Sequence, residues 1–167
     1  DFSKGTEFIE NKGQVVDEKG QAVSQVLFQA YVTGIDLYIT TSGITYVFRK
    51  AEEDEHGIAE SAQEHMKREL EQKVMSWRLD MDLKGADIRK ENIITEHPSG
   101  QGYFNYYQPQ CPQGIMQVNA YRKITIKNVY PKIDWVLYSS SAYGRETKGG
   151  FKYDFIIHPG ATPSDIR

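Results

Sequence analysis

The sequence predicts a mainly β protein: an antiparallel β-sandwich of about nine or ten strands with one amphipathic helix packed on it. Three observations lead there. The 167 residues include 11 Tyr, 7 Phe and 2 Trp, side chains that suit a pleated, half-buried surface. Short apolar segments recur along the chain, separated by turn signals rich in Gly, Pro, Asn and Asp. One charged segment, at about residues 58–75, instead spaces its apolar residues by four.

The elements follow in order. Residues 7–14 read as a short extended piece closed by an Asn11-Lys12-Gly13 turn. Residues 24–32 form a strand with Val26, Phe28, Ala30 and Val32 on one face. Residues 36–41 and 44–49 flank Ser42-Gly43 and read as a hairpin, with Gly43 supplying positive φ. Ile58, Ala62, Met66, Leu70 and Val74 then make one apolar stripe on a helix. Glu64 with Arg68, and Glu69 with Lys73, are favourable pairs on its surface. Period two returns at Trp77, Leu79, Met81 and Leu83, which alternate with Arg78, Asp80, Asp82 and Lys84; one face is expected buried and one wet. A turn at residues 84–87 leads to a strand at 88–96 and a loop at 97–102. Aromatic residues 103–107 precede a loop at 108–114 containing Pro and Cys111. Further strands are expected at about 116–121, 123–129, 133–139 and 151–158, with a small-residue loop over 139–150. No repeat of solenoid or propeller period occurs, and one domain spans residues 1–167.

Composition narrows the function classes. The net charge of −3 supplies no basic field for nucleic acid or anionic lipid. Apolar runs of a few residues are too short for membrane insertion. Cys111 stands alone, which excludes an internal disulfide or a cysteine metal site. No cofactor fingerprint appears: the glycines around Gly100 and Gly102 lack the strand–glycine loop–helix context of a phosphate cradle. The expectation is therefore no cofactor and no metal.

Candidate chemistry is sparse. His56, His65, His97 and His158 fall in no ligand spacing, and Ser139-Ser140-Ser141 lacks a nucleophile-elbow frame. Asp80 and Asp82 share a strand face and suggest a carboxylate pair or a Ca²⁺ site, but Arg78 and Lys84 on the same face favour a balanced, solvated surface. Asp134 lies between Ile133 and Trp135, and Asp154 between Tyr153 and Phe155. An acid inside an apolar strand points to the other face or is buried with a partner, and both are expected as structural anchors rather than cleft carboxylates. Exposed rings among Tyr103, Tyr106, Tyr107 and Trp135 would make a stacking platform for a ligand such as a sugar. Strand spacing assigns most aromatics to core and surface paving instead.

Phe8 to Gln14, Lys84-Gly85-Ala86, Tyr103 to Tyr107, Val118 to Tyr121, Tyr130 to Asp134 and Lys152 to Pro163, taken in order, resemble the N-terminal domain of large secreted Bacteroidetes proteins. Such proteins carry β-propeller-type repeats downstream and gliding-motility-associated or type nine secretion sorting domains at the end. The resemblance runs from Phe8 to Ile166. It implies an exported, cell-surface or released N-terminal module, its signal peptide removed before Asp1, with downstream domains of the same chain as partners. The end at Arg167 reads as a cut between domains. The resemblance brings no catalytic residue with it. The expected function is a non-catalytic extracellular module with an adhesion or domain-organising role, touching a glycan or surface protein. The alternatives are a carbohydrate-binding module using surface aromatics and a glycan-active enzyme domain.

Overall fold

The computed structural model describes residues 6–32, 34–51, 74–98, 102–109, 111–139 and 150–167. It is mainly β, and its sheets are antiparallel. The described strands are β1 (Phe8–Glu10), β2 (Val26–Val32), β3 (Ile35–Thr40), β4 (Gly43–Ala51), β5 (Val74–Asp82), β6 (Ile93–Pro98), β7 (Phe104–Gln108), β8 (Cys111–Val118), β9 (Ala120–Tyr130), β10 (Ile133–Ser139) and β11 (Phe151–Ile157). Single 3-10 turns occupy Lys90–Asn92 and Pro163–Asp165.

Nine strands make one sheet in the order β11-β10-β9-β1-β2-β3-β4-β5, with β6 also paired to β9. The strand β9 is therefore shared. It pairs with β10 and β6 along Lys123 to Ile126, and with β1 at Ala120 and Tyr121. The sequence suits that position: Ile124, Thr125 and Ile126 are consecutive, β-branched and buried. Its neighbour β10 is buried on both faces from Ile133 to Leu137. Trp135 stacks on Phe155 with ring centroids 6.1 Å apart, and Tyr153 meets it edge-on. Each such pair adds about 0.5–1.5 kcal/mol beyond the area it buries.

The far ends of the strand order come near one another. The Tyr153 hydroxyl of β11 donates to Met81 Sδ of β5 at 3.6 Å. Near the C-terminus, the Lys84 N–H and the Tyr130 hydroxyl both donate to the Arg167 carbonyl. Between them, one apolar cluster joins Phe8, Phe28, Leu37, Ile44, Ile126 and Trp135.

Several elements depart from the sequence expectation. The amphipathic helix expected at about residues 58–75 lies outside the described residues except for its last two positions. Those two, Val74 and Met75, belong to β5. Trp77 and Leu79 were expected in the core, yet they are 51 % and 56 % exposed. The reason is position: among the described residues β5 pairs with β4 alone, and of the β5 residues described Met81, near its C-terminal end, is the one packed against the core. The strand expected at 88–96 is split. Ile88 is buried as a plug, the 3-10 turn follows, and β6 starts at Ile93. The loop expected at 108–114 is mostly strand, because Cys111 already pairs with Gln108.

The hairpin at Ser42-Gly43 stands as expected, for a reason stronger than turn preference. The Thr40 hydroxyl accepts the Ser42 and Gly43 N–H groups and caps the turn. A Cβ on Gly43, whose φ is +154°, would collide with the Met81 carbonyl oxygen on β5. Gly43→Ala is therefore expected to push β5 off β4 and cost at least about 2 kcal/mol in chemical denaturation. An unchanged midpoint would show that the strands do not approach this closely.

Candidate functional site

The Asp134 carboxylate is buried and bonded by three other residues. Its position follows from an irregularity in pairing. Between Ile133 and Trp135 the register of β10 against β9 shifts, so Lys127, Asn128 and Val129 arch away opposite Asp134. Asn128 takes φ +50° in that arch, a conformation Asn tolerates better than most residues. The Asp134 side chain fills the arch. Its Oδ1 accepts the Asn128 N–H at 2.9 Å, and its Oδ2 accepts Lys127 Nζ at 2.7 Å and faces His158 Nε2 at 2.9 Å. The Asp134 side chain is 3 % exposed, whereas those of Lys127 and His158 are 44 % exposed.

His158 is brought there by the exit of β11. Its N–H donates to the Lys132 carbonyl at 3.0 Å, across the tight Pro131-Lys132 turn in which Lys132 has φ +60°. One carboxylate thus holds the β9 arch, the β10 strand and the end of β11. Burial alone would raise the Asp134 pKa. The Lys127 ammonium, the Asn128 N–H and the His158 ring outweigh it and hold the group down from 3.8 to about 2. Sequence spacing singled out Asp134 as an anchor. It linked neither Lys127, seven residues back, nor His158 to it, because an arch in the pairing leaves no period-two signature.

Asp154 anchors less. It is exposed, and its Oδ2 accepts the Tyr138 hydroxyl at 2.6 Å from the adjacent strand. Asp80 is likewise on a wet face. It accepts the Thr45 hydroxyl at 2.6 Å and is gripped by Arg78 through Nε and a terminal nitrogen. The Thr45 hydrogen bond is the largest influence drawing its pKa below the ordinary value. Among the described residues, no group of three or more His, Cys, Asp or Glu is placed to hold a metal ion.

The four aromatic candidates separate. Trp135 is fully buried and stacked on Phe155, so it has no face to offer a ligand; its place in the platform is corrected to core. Tyr106 is half-buried, and burial raises its phenol pKa against a hydrogen bond with the Gln29 side chain. Tyr103 and Tyr107 are 56 % and 72 % exposed. They belong to the β7–β8 hairpin, a two-stranded sheet of its own. The Tyr107 ring lies close beside Gly114, where a Cβ would come within 2.9 Å of it, and Met116 borders the same spot. Lys12 Nζ to the Gln117 carbonyl and Gln108 Nε2 to the Gln14 carbonyl tie the hairpin to the main sheet.

Asp134→Asn tests the electrostatic reading. A carboxylate depressed from 3.8 to about 2 contributes stability that is fully present above pH 3.8 and is lost as pH falls through 2. The contribution is about 2 kcal/mol. Wild-type stability, followed by urea denaturation, is expected to fall by that amount across this window, and the Asn variant is expected to lack that part of the slope.

A family model described as "Domain of unknown function (DUF7948)" matches residues 8–167, and the chain belongs to that family. No curated protein and no solved structure matches it.

Proposed function

We propose that this DUF7948 chain is a non-catalytic module of a secreted or cell-surface multidomain protein, with an adhesion or domain-organising role. The observation that carries the reading is the exposed face of the β7–β8 hairpin. There Tyr107 and Met116 flank Gly114, and Tyr103 stands at the start of the same strand. Tyrosines held on a short, anchored hairpin give contact area with little side-chain entropy to lose. The best-connected acid, Asp134, has its oxygens occupied by fold-making partners. The resemblance to N-terminal domains of secreted Bacteroidetes proteins supports the extracellular setting and downstream domains as partners.

The architecture that goes with this role is a β-sandwich. The Met81–Tyr153 contact between the two ends of the strand order supports it, as does the single cluster joining β2, β3 and β4 to β9 and β10. A second reading, a carbohydrate-binding module, is favoured by the same exposed rings, since tyrosine faces stack on the apolar faces of sugars.

Replacing Tyr103 and Tyr107 together by Ser is expected to weaken retention on a glycan array or on a Bacteroidetes cell surface at least about tenfold. The melting midpoint should be unchanged, because both rings are exposed. Turnover of a polysaccharide or peptide by the wild type, abolished in a folded Asp134→Asn variant, would overturn the non-catalytic reading.

A further inference from the structure

A cleft of about 520 Å³ lies on the opposite side of β3–β5 from the core. Its floor is Tyr38, Thr45, Val47 and Arg78, outward-facing residues of three adjacent strands. Its roof is a small hairpin made by the segment between β1 and β2, which contributes Val15 and Val23. That volume falls within the range of about 300–1,000 Å³ usual for small-molecule sites.

The roof is built to hold its position. Val23 N–H bonds the Val15 carbonyl, Val16 bridges Ala22, and Asp17 N–H bonds the Gln21 carbonyl. At the tip, Asp17 Oδ1 accepts the Lys19 and Gln21 N–H groups. At the root, the buried Asn11 amide donates to the Val23 and Val26 carbonyls and accepts from Gly13 N–H. Such internal bonding keeps a gap open over the sheet instead of letting the segment collapse onto it, and a preformed wall lowers the ordering cost of binding.

The lining chemistry selects a ligand class. Valines and the half-buried Tyr38 ring offer apolar contact along the walls. The lining residue Arg78 is bonded through its guanidinium to Asp80, two residues along the same strand face, at 2.9–3.0 Å. That pair carries no net charge. It presents free N–H donors and a carboxylate edge side by side, the arrangement that vicinal hydroxyls satisfy in turn. A carboxylate or phosphate ligand would have to compete with Asp80 for Arg78, and a cation would face Arg78 itself. We propose that this cleft is a second binding site, and that it takes a neutral saccharide. Its C–H face would lie against Tyr38 and Val47, and its hydroxyls on the Arg78–Asp80 pair.

The test is NMR titration of the whole chain with neutral sugars (glucose, galactose, mannose and N-acetylglucosamine, with their short oligomers) at about 10 mM, the range of weak single-site binding. The expected result is saturable shifts at Tyr38, Val47 and Arg78 with at least one sugar. Arg78→Ala should weaken binding at least about tenfold. Val47→Trp, which fills the cleft from the position directly opposite Arg78 on the neighbouring strand, should abolish it. Tyr107→Ser should leave it unchanged, which separates this site from the hairpin face. Absence of shifts with every sugar, binding that survives Val47→Trp, binding restricted to charged sugars, or loss through Tyr107→Ser would each overturn the proposal.

Discussion

A buried carboxylate holds this fold together at a point where its pairing shifts register. Taking a charged Asp134 out of water costs several kcal/mol, and removing one partner of such a group costs about 3–5 kcal/mol. The cost is met because both oxygens are used, by an ammonium and a backbone N–H of the β9 arch and by an imidazole that follows β11. The consequence is geometric. The arch at Asn128 would otherwise leave an unpaired N–H beside a strand buried on both faces. With Asp134 in it, β10 can be buried from Ile133 to Leu137 and serve as the spine against which Phe155 and Ile126 pack. The same carboxylate steers the end of β11 through His158.

Around that spine the aromatic residues divide by register. Trp135, Phe155, Tyr153, Phe151 and Phe8 build a connected ring cluster through edge-on, stacked and tilted contacts. Tyr103 and Tyr107 sit on a hairpin that adds nothing to the main sheet's pairing and is tied to it by side chains. An element held by a few polar ties, with rings facing outward, is free to serve contact in place of stability. The wet face of β3–β5, with its Arg78–Asp80 pair and overhanging hairpin, is a further surface independent of both.

The sequence was legible where periodicity and turn chemistry agree. Val26 to Val32, the Ser42-Gly43 hairpin, Ile133 to Ser139 and Phe151 to Ile157 are strands because their alternation or β-branched runs end in strong turn signals. Asp134 was legible as an anchor because a charge flanked by Ile133 and Trp135 has few other ways to be accommodated. Three things were not legible. Alternation at Trp77 and Leu79 signals two faces, but it does not say that both rows leave these side chains exposed. The ring of Trp135 looks the same in sequence as that of Tyr107, and only sheet position makes one core and the other surface. The Lys127 and His158 partnership depends on a register shift that no local pattern encodes. The roof hairpin was hidden for a similar reason, since its order comes from Asn11 acting at a distance.

The central claim is that Asp134 serves the fold. It is tested most directly by hydrogen exchange at the Asn128 amide. Asn128 is an exposed residue in an irregular stretch, so an ordinary surface amide there would exchange through local fluctuation. Bonded to a buried carboxylate, it should exchange as slowly as the amides of Trp135 and Leu137, and its protection should collapse in Asp134→Asn. Exchange of the wild-type Asn128 amide at the rate of an open turn would contradict the account.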